Sequence, residues 1–333
     1  MALKVKPELS VVRKNRINKG AVLSANLMAA KTLVLFAPWL AQVAALAQTC
    51  ARPRASISMA AADGDASTSR RDLFVKAATV ACGCCLPDAA VAMAPIKAAA
   101  PDQLKLYDLP RNQLQDAAFA QGMASGMGSY ERAAYPAKQK LFEKLFLALQ
   151  DNPEPTIVEI GIGSFPNYGY YSPRLRGRGG LDIIGVDPND RMEGYARDNA
   201  KKAGLDKTSS LRVVHGVSEA LPLETRSCDA VVCSLTLCSV VDPAKSIAEI
   251  RRVLKPGGKF LFWEHVLSES DAGFAEQQVW ATPMQIIRAD GCHLDRRTGD
   301  LIKHAGFRSV DLEYLELTGF GFLNPTVAGL ATA

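Results

Sequence analysis

With 333 residues, 48% of them apolar and 22% charged, the chain has the balance of a soluble globular protein of one large domain or two ordinary ones, which excludes a collagen, a disordered chain and a small disulfide scaffold. The formal charge of +5 is unevenly placed: residues 1–71 hold eleven Lys and Arg against three acids, Glu8, Asp63 and Asp65, so the remainder is net −3. The part with folding patterns therefore has no surplus of cations to neutralise a row of phosphates, and nucleic acid is not an expected partner.

The N-terminal stretch reads as an address. Up to Arg71 the chain is rich in Ala, Ser, Lys and Arg and poor in acids, which is transit-peptide composition. One uncharged run, Thr32 to Ala51, approaches the ~20 apolar residues of a spanning helix, but Pro38, Gln42, Gln48 and Thr49 interrupt it, so membrane association through this segment stays open. Ser69-Arg70-Arg71-Asp72-Leu73-Phe74-Val75-Lys76 then sets a twin-arginine pair before an apolar stretch, Ala77 to Leu86, and the small residues Ala90-Val91-Ala92. That order resembles the bipartite presequences of plastid proteins routed to the thylakoid by the twin-arginine system. It predicts a presequence over 1–92, cut after Ala92, and a chloroplast location, with the stroma, the thylakoid lumen and the thylakoid membrane all open; the alternative reading of the arginines is a solvated pair at a helix start. Cys82, Cys84 and Cys85 lie in the apolar stretch, Cys50 stands alone, and Cys228, Cys233, Cys238 and Cys292 lack C-x₂-C spacing, so no metal is expected.

From Pro101 to Gln150 apolar residues recur at helical spacing. Leu104, Leu106, Leu109 and Leu114 lead in, and Leu141, Phe142, Leu145, Phe146 and Leu149 follow, which predicts a helical cap over 93–150. Asp151-Asn152-Pro153-Glu154-Pro155 is breaker chemistry and opens a second unit, 151–333. There, strands are predicted over Thr156–Ile160, Leu181–Val186, Leu211–His215, Ala230–Leu235 and Lys259–Trp263. Helices are predicted over Arg191–Ala203, closed by Gly204, and Pro243–Leu254, closed by Lys255-Pro256-Gly257-Gly258. A helix ending over Leu301–Ala305 precedes Gly306, and Ser309–Leu317 and Thr326–Thr332 read as further strands. This alternation predicts the α/β class, a mostly parallel sheet with helices on both faces.

Two motifs end the first two strands: Val158-Glu159-Ile160-Gly161-Ile162-Gly163 and Gly185-Val186-Asp187-Pro188-Asn189. In a doubly wound sheet the ligand crevice lies at the carboxyl ends of the strands, where glycines admit a ligand to the backbone and a strand-end acid accepts hydrogen bonds from ribose hydroxyls. Pro166 stands at the third glycine of the G-x-G-x-x-G fingerprint, so the pyrophosphate cradle of a nicotinamide oxidoreductase is incomplete.

Together with His215-Gly216-Val217-Ser218-Glu219-Ala220-Leu221-Pro222, Asp229-Ala230-Val231-Val232-Cys233-Ser234 and Arg252-Val253-Leu254-Lys255-Pro256-Gly257-Gly258, these motifs resemble the class I S-adenosylmethionine-dependent methyltransferases. Residues 232–240, Phe262-Trp263-Glu264-His265-Val266, Gln277-Gln278-Val279 and Asp290-Gly291-Cys292-His293-Leu294 resemble the methyltransferase-like branch that contains the small alkyl-thiol S-methyltransferases. The resemblance implies a Rossmann-like seven-stranded sheet with its last strand antiparallel, S-adenosyl-L-methionine as cofactor, and in-line methyl transfer to a small-molecule acceptor, a thiol or another small apolar nucleophile. A prenyl-quinone or lipid methyltransferase and a cofactor-binding pseudoenzyme are the rival readings.

Carried onto this chain, the resemblance gives Glu159 the cofactor's ammonium group, Gly161, Ile162 and Gly163 its close approach, Asp187 and Pro188 the ribose, Gly216, Ser218 and Glu219 the adenine loop, and Ser234 and Leu235 main-chain contacts. His265, after the fifth strand, is the candidate base, with Glu264 either orienting it or facing outward by strand alternation. Cys238 and Cys292 line an acceptor pocket or are inert buried thiols; Trp263, Phe274 and Trp280 form an apolar wall or pack in the core. Two departures stand out: Phe165 replaces a frequent third glycine, and Val217 replaces the acid that often meets the adenine amino group.

Overall fold

The computed structural model describes residues 94–333 apart from 176–179 and 208. The presequence reading over 1–92, with its apolar run and twin-arginine pair, lies outside the described residues.

Seven strands form one sheet: β1 (Thr156–Ile160), β2 (Asp182–Asp187), β3 (Ser210–His215), β4 (Cys228–Ser234), β5 (Leu254–His265), β6 (Ser309–Glu316) and β7 (Pro325–Thr332). Their order is β3-β2-β1-β4-β5-β7-β6. The first five are mutually parallel, and β7 runs antiparallel to both its neighbours, β5 and β6. The order reverses between β1 and β4, so the crevice lies beyond the ends of those two strands, where both glycine and acid motifs were expected. β1 and β2 are buried along their whole length, which explains why they read as continuous apolar runs and not as alternating ones.

The helices are α1 (Pro101–Tyr107), α2 (Gln113–Gly126), α3 (Gly128–Ala148), α4 (Tyr168–Leu175), α5 (Met192–Lys202), α6 (Pro243–Val253), α7 (Ala272–Arg288) and α8 (Thr298–His304). Asn112 caps α2 by accepting from the Leu114 and Gln115 N–H groups, and Asp242, followed by Pro243, caps α6 through Lys245 N–H. Alternation along β1 sends Ile157 to a core with Phe142, Leu145, Tyr171 and Trp263, and Val158 to a second core with Ile247, Ile250 and Phe260 on the other face. The α3 helix thus covers one face and α6 the other.

Helices α1 to α3 precede β1 as a cap. Ala94 N–H donates to Asp182 at the start of β2, and the His215 ring at the end of β3 bonds Asp108 and Asp190, so residues 94–108 run along this side of the sheet. Arg111 then pairs with Asp116 and with Asp290, beyond α7.

Three sequence expectations need correction. β5 begins at Leu254, not Lys259, because Leu254 pairs with Cys228 and the extra residues of β5 before Lys259, which hold the glycine turn, shift the register against β4. Helix α7 was not anticipated: its fully buried residues are Gln278 and Thr282, so no apolar stripe marks its inner face. Trp280 is 84% exposed on that helix, which removes it from the core. None of the described helices is long and apolar enough to cross a membrane.

Candidate active site

The chain leaves β1 through Gly161, whose φ of 61° lies in the left-handed region and whose N–H donates to Val186 O at 2.8 Å. A Cβ there would come within 2.2 Å of Thr236 Oγ1, in the turn after β4. Gly163, at φ 52°, turns its N–H onto Asp187 Oδ2 at 2.8 Å. The other oxygen, Asp187 Oδ1, accepts from Asn189 N–H at 2.9 Å. The two motifs are therefore one structure, a glycine turn bound to the acid at the end of β2. Burial raises the Asp187 carboxyl to about 6, with the Asn189 and Gly163 N–H groups pulling the other way.

Glu159 is buried beneath this turn. Its Oε1 accepts from Asn167 Nδ2 at 2.9 Å and its Oε2 from the Tyr171 hydroxyl at 2.5 Å. Burial pushes its carboxyl to about 7, opposed by the Tyr171 and Asn167 hydrogen bonds and by the Lys138 charge. Lys138, 1% exposed, donates from Nζ to Asn167 Oδ1 at 3.1 Å and to Glu131 at 3.0 Å. A polar chain thus links α3 of the cap to β1 through Glu131, Lys138, Asn167 and Glu159. The sequence reading missed Lys138, although a signal was there: it interrupts the buried stripe Tyr130, Ala134, Leu141, Phe142, Leu145 at helical spacing.

Pro188 is half-buried beside Asp187, and Gly216 N–H donates to Asp187 O at 3.2 Å, bringing the adenine-loop candidate to the end of β2. The side chains of Ser218 and Glu219 are occupied elsewhere. Ser218 Oγ meets Ser246 Oγ at 2.7 Å, and Glu219 Oε1 accepts from Val241 and Asp242 N–H at 2.7 and 3.0 Å, fastening the loop to the start of α6. Ser234 and Leu235 are half-buried at the end of β4; Leu235 has φ 56° and donates its N–H to Trp263 O at 2.8 Å. Phe165 is fully buried at φ 60°, so the residue that replaces a glycine keeps a glycine-like backbone. Val217, directly after Gly216, is buried.

Glu264 is fully buried, which overturns its outward-facing alternative. Its Oε1 accepts from Thr236 N–H at 3.0 Å and from Cys233 Sγ at 3.2 Å, so it holds the turn after β4, while adjacent residues on β5 send their side chains to opposite faces. Burial raises its carboxyl above the usual range. His265, also buried, lies 3.2 Å through Nε2 from both Cys292 Sγ and His293 O. Burial pulls the imidazole down, but Cys292, Glu264 and the His293 carbonyl outweigh it and leave the ring above its ordinary value. Cys238 and Cys292 are buried together with it.

Comparison with known proteins fits this geometry. The methyltransferase-domain family matches residues 158–262. The rat thiol S-methyltransferase TMT1B is 34% identical over 177 residues, which cover 53% of this chain and 70% of the rat protein. Human TMT1B is 32% identical over 53% of this chain and 69% of its own length. Human thiol S-methyltransferase TMT1A is 29% identical over 206 residues, 61% of this chain and 80% of its own.

Proposed function

We propose that this chain, which belongs to the class I S-adenosylmethionine-dependent methyltransferases on the branch of the TMT1 thiol S-methyltransferases, passes its methyl group to a small thiol. The observation that carries the site assignment is the buried Asp187 carboxylate, bonded to Gly163 N–H at the sheet's reversal point. The residues fit the methyl donor: a buried acid would face its ribose end, and two left-handed glycines open the backbone beside it.

Bound S-adenosylmethionine supplies a methyl group already activated on a sulfonium. The protein's task is then to place the acceptor in line and exclude water. Asp187 would accept from the ribose hydroxyls, with Pro188 fixing the turn behind it. Glu159, held by Asn167 and Tyr171, would present negative charge to the ammonium end through the turn of Gly161, Ile162 and Gly163. Gly216 would admit the adenine, with Val217 supplying apolar contact where an acid is often found. Because the side chains of Ser218 and Glu219 are committed to the start of α6, any contact from them to the cofactor would be through main-chain atoms. Ser234 and Leu235 would contact it in the same way.

A thiol acceptor suits this site because it asks little of a base: a pKa of ~8.5 leaves a few per cent thiolate near neutrality. The His265 imidazole, engaged by Cys292 and His293 O at the end of β5, would face the acceptor from that end of the crevice. The names of the curated relatives support the thiol; the acid and glycine geometry supports the donor.

Full-length protein incubated with methyl-labelled donor and either 2-mercaptoethanol or a demethyl prenyl-quinol tests the reading. Label in the thioether is expected; label in the quinol alone would overturn the thiol acceptor. The plastid address is part of the same proposal, and a fluorescent fusion with Arg70→Lys and Arg71→Lys that still reaches the thylakoid would overturn its twin-arginine component.

A further inference from the structure

We propose that Cys238, His265 and Cys292 form a binding site for a thiolate-seeking divalent cation, zinc in the first instance. The spacing rule that spoke against a metal concerns ligands close in sequence; here the fold gathers three from separate segments, the turn after β4, the end of β5 and the loop between α7 and α8. Their ligand atoms, two Sγ and one imidazole nitrogen, all lie within 4.8 Å of one another, and all three residues are buried. His265 Nε2 and Cys292 Sγ are 3.2 Å apart. Tetrahedral zinc with bonds of about 2.3 Å to sulfur and 2.0–2.1 Å to nitrogen sets its ligand atoms about 3.4–3.8 Å apart, so small side-chain adjustments would close the set.

Backbone geometry holds the segments in this arrangement. His293 N–H donates to Cys238 O at 2.8 Å, locking the residue after one cysteine to the carbonyl of the other. Arg296 bridges the Leu237 and Val240 carbonyls at 2.5 and 2.7 Å, on both sides of Cys238. Gly291, at φ 83°, packs against Ser239, where a Cβ would lie 2.9 Å from the Ser239 carbonyl oxygen. His265 is fixed by β5, whose register pairs it with Thr326. Such a frame presents ligands before any ion arrives.

A hydrogen-bond donor also faces one of the sulfurs. Gln285 directs an Nε2–H to Cys292 Sγ at 3.4 Å, a donor of the kind that supports metal-bound sulfur. Binding would release two thiol protons to solvent, and a divalent ion with two thiolates and a neutral imidazole carries no net charge, which suits a buried position. Three protein ligands leave one tetrahedral position open, as in catalytic and not structural zinc sites. An acceptor thiol losing its proton to solvent would enter there as thiolate, and the Arg296 guanidinium, nearby, would balance the added negative charge. This last step rests on the thiol reading of the acceptor; the metal site itself does not.

The test uses the full chain, purified with a phosphine reductant and freed of loose metal on a chelating resin, with no donor or acceptor present. Zinc analysis is expected to give about one ion per chain, and cobalt(II) exchanged into the site the intense absorption of a tetrahedral thiolate complex. Both should be lost in Cys238→Ser and Cys292→Ser and kept in Cys228→Ala, while S-adenosylhomocysteine binding by calorimetry reports that each variant is folded. A metal-free protein that gives no cobalt spectrum, metal retained in folded Cys238→Ser and Cys292→Ser, or a native Cys238–Cys292 disulfide would overturn the site. Adding 2-mercaptoethanol to the cobalt form should change the thiolate-to-cobalt absorption; an unchanged spectrum would overturn the acceptor's place on the metal and leave thiol methylation to be judged by its own labelling experiment.

Discussion

Replacing Glu159 with Gln should make the cofactor-free protein more stable while weakening its grip on the donor. The folded-state carboxyl sits near 7 against an ordinary 4.5, chiefly because it is buried. A raised acid contributes its full stability below the unfolded value and loses it as pH rises through the folded one, so the cost of ionising Glu159 grows between about pH 4.5 and 7. At pH 8 that cost is about 3 kcal/mol. Gln carries no such cost, but its NH2 group takes the place of one of the two oxygens that accept from Asn167 and Tyr171, and that mismatch returns about 1 kcal/mol. The net gain of about 2 kcal/mol corresponds to roughly 4–8 °C in melting temperature at pH 8 for a folded unit of this size, shrinking towards pH 5. Removing the negative charge should meanwhile weaken S-adenosylhomocysteine binding by about 10–100-fold. Thermal melts of both proteins across pH 5 to 8, paired with calorimetry, read the two effects separately. A variant that melts lower at pH 8, or a wild-type-to-variant difference that ignores pH, would refute the assignment of Glu159 as a buried acid held for a ligand.

Asp187→Ala removes the acceptor shared by Gly163 and Asn189 N–H and by the ribose, and should weaken S-adenosylhomocysteine binding by about 2–3 kcal/mol, 30–150-fold by calorimetry; a loss below threefold would move the ribose site elsewhere. Gly161→Ala puts a Cβ on Thr236 and a side chain on a left-handed residue, so it should cost about 2–5 kcal/mol in urea denaturation. An unchanged midpoint would mean that the glycine turn can relax.

The parallel half of the sheet was legible because β1 and β2 are buried on both faces and read as continuous apolar runs between breakers, while Asp187 and the glycines mark the ends of those strands. Helix α7 was not, since its inward residues are Gln278, which serves backbone groups of Ser268, Val266 and Phe322, and Thr282, whose hydroxyl donates to Gln278 O, and neither faces an apolar core. Glu219, Glu264 and the thiol cluster were visible as residue types, but their partners come from distant segments that spacing alone does not join. Phe165 lies between these cases. The sequence says only that a frequent glycine is missing, whereas the structure shows that the left-handed turn was kept and the ring was buried against Tyr171, with centroids 5.3 Å apart. Two opposed quantities decide what the substitution does: about 1–2 kcal/mol of backbone strain, and the ~3–5 kcal/mol that a buried aromatic contributes to a core. Packing is the larger, so Phe165→Gly should lower stability by about 2–3 kcal/mol in urea denaturation and leave S-adenosylhomocysteine affinity within threefold. A more stable glycine variant would show that the strain is the larger quantity, and a loss of affinity would place the ring in contact with the cofactor and not in the core beneath it.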